Sequence, residues 1–196
     1  MKLLTTIYRN ENVNIEGKTF VREAVRGIIF RALTPVPSPV NGRGESRKEL
    51  LMIYSPINGD YKFPGGGVEV EETHVEALRR EIREESGAML TQVTGELGKI
   101  IEYALAIEDD FETFKMTSYY YFCEINGELG ALNLDNYESE LGFRPIWVTV
   151  AAALETNKKV LAESNPAPWW MKREVFVLED LSKSNADRAS FTKKHG

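Results

Sequence analysis

The chain has 196 residues, 42% of them hydrophobic and 28% charged, and a net charge of −6. That length suits one domain whose core needs no staple, and the single cysteine, Cys123, permits no internal disulfide. The acidic balance argues against nucleic acid as a partner. No apolar run nears the ~20 residues that span a bilayer, and the N-terminal segment lacks the apolar stretch of a secretory signal, so a cytoplasmic protein without a membrane partner is expected.

In chain order, Leu3, Leu4, Ile7 and Tyr8 suit an edge strand, and residues 22–33, REAVRGIIFRAL, read as a strand rich in β-branched residues. Residues 34–48 carry Pro35, Pro37, Pro39, Gly42 and Gly44 and almost no large hydrophobe. They cannot bury enough apolar surface to offset their ordering entropy, so a flexible loop insertion is expected there. Residues 49–55 are again strand-like, so excising the loop would leave a hairpin. Asn58-Gly59-Asp60 marks a turn. Residues 73–86 read as a helix that Thr73 opens and Gly87 stops. Strands follow at 98–107 and 113–125, the second with Cys123 as a small buried hydrophobe. A strand at 144–150 leads into a helix at 150–163. Asn165-Pro166-Ala167-Pro168 breaks it, and residues 169–181 form an amphipathic helix with Trp170, Val177, Leu178 and Leu181 on one side. One domain over 1–181 is expected, with 182–196 as a polar, disordered tail.

The chemistry concentrates in residues 66–88, GGVEVEETHVEALRREIREESGA. At about 100° per residue, Val75, Leu78 and Ile82 fall within ~60° of one another and make an apolar stripe. Glu81, Glu84 and Glu85 stand at i, i+3 and i+4, so they are neighbours on an adjacent face. Like charges so placed oppose one another. They make sense as oxygen ligands for a hard divalent cation, and Mg²⁺ bridges carboxylates to substrate phosphates. Gly65, Gly66 and Gly67 follow Pro64 and allow a ligand close to the backbone. Together these features suggest metal-assisted attack of water on a phosphate.

The spacing of Gly66, Glu72, Arg80-Glu81, Ile82, Glu84-Glu85, Gly87 and Ala88 resembles the signature of the Nudix hydrolases, with Ala88 a small choice at the final hydrophobic position. The resemblance implies an α/β fold, an α/β/α sandwich around a mixed β-sheet. It implies Mg²⁺ or Mn²⁺ held by Glu81, Glu84 and Glu85 with the Gly66 carbonyl, and a Glu72–Arg80 pair bracing the loop. It implies hydrolysis of a nucleoside diphosphate linked to another group, hence a small-molecule nucleotide-type substrate. The catalytic base is then a box glutamate or an acidic residue in a loop before the 144–150 strand, where Glu140 is preferred and Glu138 is second. Lys62 and Tyr103 are the substrate-binding candidates. Tyr103 stands where ADP-ribose enzymes of the family carry proline, which weighs against that substrate. A homodimer is compatible with this reading. Two other classes share the fold: a non-catalytic nucleotide-sensing module, and an isomerase of isoprenoid diphosphates. The intact box and the aromatic setting of Cys123 weigh against both.

Overall fold

The computed structural model describes residues 1–32 and 48–193, with side chains described through Lys183. The expected insertion at 34–48 lies outside the described residues, except for Lys48, which opens a strand. The elements are β1 (Leu3–Tyr8), β2 (Thr19–Ala32), β3 (Lys48–Ser55), β4 (Asp60–Lys62), α1 (His74–Ser86), β5 (Met89–Leu105), β6 (Thr113–Asn126), α2 (Asn136–Glu140), β7 (Arg144–Thr149), α3 (Val150–Glu163) and α4 (Met171–Lys193). Among the described residues one mixed, open sheet runs in the order β1-β5-β6-β2-β3-β4, with β7 on β3. The β1–β5 and β2–β6 pairs are parallel. The others are antiparallel. α1 covers one face over Val25, Ile29, Leu51 and Cys123. α3 and α4 cover the other over Ile28, Leu50, Met52, Phe63, Ile100 and Tyr120. This is the expected α/β/α sandwich.

Three details position the site. First, β2 and β3 share a ladder only at Phe30↔Leu50, Arg31↔Glu49 and Ala32↔Lys48. They then part, and the glycine loop takes over the freed edge of β2: Val25 N–H donates to the Gly66 carbonyl (3.0 Å), Gly27 N–H to Pro64 (2.8 Å) and Val68 N–H to Glu23 (3.0 Å). Backbone groups at that depth need partners, and the loop supplies them. Second, α1 begins with a capping box between Thr73 and Glu76 and ends at Gly87 with φ 71°, as the sequence predicts. Third, the helical layer grips β4. Asn157 accepts from Tyr61 N–H and donates to its carbonyl, Glu174 accepts from Phe63 N–H, and Trp170 Nε1 donates to Asp60.

Three features differ from the sequence reading. β5 begins at Met89 rather than at 98, because its first half pairs with β6 through three register shifts that interrupt its alternation. α4 continues to Lys193, past Leu181. No glycine or proline interrupts residues 182–193, so nothing local stops the helix. The buried face of α1 is Ala77, Leu78, Ile82, Glu85 and Ser86, while Val75 is 42% exposed. The face is rotated because Glu85 is drawn inward, and Val75 falls at its rim.

Candidate active site

The glycine loop, α1, β4 and α2 enclose a cleft of about 450 Å³. Its walls carry Arg26, Lys62, the three loop glycines, Arg80, Glu81, Glu84 and Glu138. A second cleft of about 570 Å³ adjoins it and shares Arg80, Glu84 and Asn133.

Arg80 is the hub on one side. Its Nε and Nη2 donate to both carboxylate oxygens of Glu72 at 2.9 and 2.8 Å, and Nη2 also reaches the Gly67 carbonyl at 2.9 Å. This fork ties the loop to the helix, the geometry arginine is suited to. Glu72 hydrogen-bonded to it holds the Arg80 pKa above the ordinary value, and Arg80 in turn depresses that of Glu72. The remaining Nη1 contacts Glu81 Oε1 at 2.7 Å and Glu84 Oε2 at 3.4 Å.

Lys62 is the hub on the other side. Its ammonium lies 2.7 Å from Glu85 Oε1 and 3.1 Å from Glu138 Oε1, over the Phe143 ring. Burial opposes the lysine charge, but the two carboxylates outweigh it and hold its pKa above the ordinary value. Glu85 is fully buried and its other oxygen accepts from Gly65 N–H at 2.6 Å. Burial pushes its carboxyl up to about 8, against the pull of Lys62. Burial likewise raises that of Glu81. For Glu138, burial acts upward too, but Lys62 and hydrogen bonds to Glu85 and the backbone leave its pKa below the usual range.

Glu72, Arg80, Glu81, Glu84, Glu85, Gly66 and Lys62 are thus brought together. Two sequence candidates are not. Glu140 ends α2, is exposed and does not line the cleft; Glu138, two residues earlier, does. The segment is a short helix rather than a loop: Asp135 caps it and pairs with Glu138 in a capping box. Two residues along a helix turn the side chain through about 200°, so only one of the two can face the site. Tyr103 stacks on Tyr8 at 5.6 Å and meets Lys115, on a part of the sheet that does not line the cleft. Arg26 was not anticipated. Its signal was a lone arginine within the apolar run AVRGIIF.

The donor chemistry fits a hard divalent cation. Glu81, Glu84 and Glu85 offer oxygens only, and a Cβ on Gly66 would lie 2.2 Å from Glu81 Oε1, so glycine alone leaves room for that carboxylate. The carboxylates do not stand as a converged cluster, however. Among the described residues no group of three His, Cys, Asp or Glu side chains has a metal-holding arrangement. Arg80 and Lys62 hold them instead, with Glu81 Oε2 and Glu84 Oε1 outside the Arg80 contacts. The Gly66 carbonyl accepts from Val25 and keeps one lone pair for any other partner. No helix among the described residues is long and apolar enough to cross a membrane.

No curated protein matches the sequence. Among solved structures, the chain is similar to the ORF135 protein of E. coli (23% identity over 69% of this chain and 78% of that one, TM-score 0.42). It is similar to a MutT structure from work on Aliivibrio salmonicida and Vibrio cholerae (22%, 74% and 100%, 0.44). It is also similar to a structure described as a putative nudix hydrolase family member from Chromobacterium violaceum (17%, 88% and 90%, 0.45). The NUDIX domain family model matches residues 39–169, a span that includes the glycine loop, the box helix and the acidic turn at Glu138, and the chain therefore belongs to the Nudix hydrolase family.

Proposed function

We propose that this Nudix hydrolase is a divalent-metal-dependent pyrophosphohydrolase that cleaves a nucleoside diphosphate linked to another group. The observation that carries the reading is the pair of linked hubs around the glycine loop: Arg80 with Glu72, Glu81 and Glu84, and Lys62 with Glu85 and Glu138. Glu81, Glu84 and Glu85 would hold Mg²⁺ or Mn²⁺, which when bound neutralises phosphate charge and acidifies water. Arg80 keeps the loop and helix in fixed relation. Lys62 neutralises Glu85, which would otherwise be a buried lone carboxylate.

Glu138 is the group outside the box that accepts the proton. Water oxygen bonds to one phosphorus as one of its protons passes to the Glu138 carboxylate, the phosphorus–oxygen bond of the anhydride breaks, and its electron pair leaves on the bridging oxygen with the other phosphorylated half of the substrate. A carboxylate that holds a divalent cation is a poorer acceptor than one paired with a single ammonium, as Glu138 is with Lys62, which favours the residue beyond the box.

The test is a panel of nucleoside diphosphate derivatives with Mg²⁺, Mn²⁺ or EDTA, with products identified by mass. Turnover should vanish in EDTA. Glu84→Gln should lower it by several orders of magnitude, and Glu138→Gln by ~10²–10⁴-fold. Glu140→Gln should leave it near wild type. Full turnover in EDTA, or in the Glu84→Gln protein, overturns the reading.

A further inference from the structure

Arg26 projects from the middle of β2 into the cleft and is only 6% exposed. The glycine loop lies flat against the backbone at this point: a Cβ on Gly65 would come within 2.1 Å of the Val25 carbonyl and 3.1 Å of Arg26 Cα. Arg26 therefore sits directly beneath the loop.

The other two cations of the cleft are spent. Arg80 contacts four carboxylates within 4.0 Å, and Lys62 contacts two. Arg26 has no carboxylate within ion-pair distance among the described residues, and its buried Nε has no hydrogen-bond partner. A buried guanidinium left so is costly, and proteins ordinarily pair it. The cleft lining also carries five acidic residues, Glu69, Glu81, Glu84, Asp135 and Glu138, against three basic ones. An anionic ligand entering there is repelled unless an uncommitted cation meets it. A planar fork with a free edge suits two oxygens of one phosphate.

We propose that Arg26 is the anion receptor of this cleft, and that it takes non-bridging oxygens of a diphosphate lying across the glycine loop. This rests on the reading of the cleft as a diphosphate site, and it adds a binding residue outside the box. It also accounts for an arginine at the centre of a buried strand. Ligand binding supplies the partner that the fold withholds.

Binding of inorganic pyrophosphate to the full-length protein, titrated calorimetrically at one fixed Mg²⁺ concentration, tests it. Arg26→Met should bind at least about tenfold more weakly, the usual worth of a charge-assisted hydrogen bond. Arg26→Lys, which keeps charge but not the fork, should fall between. The ligand-free thermal midpoint of Arg26→Met should equal or exceed that of wild type, because an unpaired buried charge is removed. Wild-type affinity in Arg26→Met overturns the proposal, as does failure of the wild type to bind pyrophosphate. A lowered midpoint in both variants overturns it as well, since that marks a structural cation. If Arg26→Met alone fails to fold, wild-type affinity in Arg26→Lys overturns it. Nucleotide turnover is measured separately. Arg26-dependent binding without turnover of any nucleotide sinks the functional reading and spares Arg26, while turnover with Arg26-independent binding does the reverse.

Discussion

Lys62 and Glu85 form the buried pair on which the inner wall of the cleft depends, 2.7 Å apart with side chains 13% and 0% exposed. Removing one member of such a pair strands the other. Lys62→Met should therefore destabilise the protein by roughly 3–5 kcal/mol, read from urea unfolding. Lys62→Met with Glu85→Leu should recover most of that, because an apolar pair of similar volume needs no solvation. A loss below 1 kcal/mol in the single variant would mean that Glu85 takes up a proton in place of Lys62, in line with a carboxyl that burial pushes up to about 8. Neither residue announces this pairing in the sequence, where Lys62 reads equally well as a solvated lysine. The Arg80–Glu72 brace, by contrast, was legible, because both residues occupy fixed positions of the box. The choice between Glu138 and Glu140 was not, since it depends on the phase of a helix only five residues long. Its one readable trace is Asp135 followed three residues on by Glu138, a capping-box pattern.

The elements were legible where their periodicity runs long. β6 alternates buried Ser118 and Tyr120 with half-exposed Tyr119 and Tyr121, and α3 spans Val150–Glu163 as its pattern predicts. Cys123 is 5% exposed within β6, the small hydrophobe it resembled. The handover of the β2 edge from β3 to the glycine loop was not legible. It joins segments about 40 residues apart through backbone groups that carry no side-chain signal. That handover makes a prediction about the loop itself. Gly65 has φ 133° and no space for a Cβ, whereas Gly59 has φ 72° with nothing within 4 Å of one. Gly59→Ala should cost about 1–2 kcal/mol, the left-handed penalty alone. Gly65→Ala should cost clearly more, since backbone strain of about 1–3 kcal/mol adds to a steric clash with Val25. Equal losses in chemical denaturation would mean that the loop lifts off β2 without cost.

For the whole molecule, the last ladder pair before the 33–47 connection is Ala32↔Lys48, and it is antiparallel. Replacing 33–47 by Asn-Gly leaves the register of a two-residue hairpin. Loop-closure entropy changes slowly with length, so the shortened protein should be as stable as the parent or more so, with turnover retained. A folded variant without turnover would make the connection a functional element. The grip of the helical layer on β4 has a consequence for the order of synthesis. Asp60 meets Trp170 across 110 residues, Tyr61 meets Asn157 across 96, and Phe63 meets Glu174 across 111. At ~5–20 residues per second, a ribosome releases those anchors roughly 5–20 s after the glycine loop. A nascent chain thus carries its full row of box glutamates well before Asn157, Trp170 and Glu174, the anchors that fix β4 beneath the glycine loop, have been made.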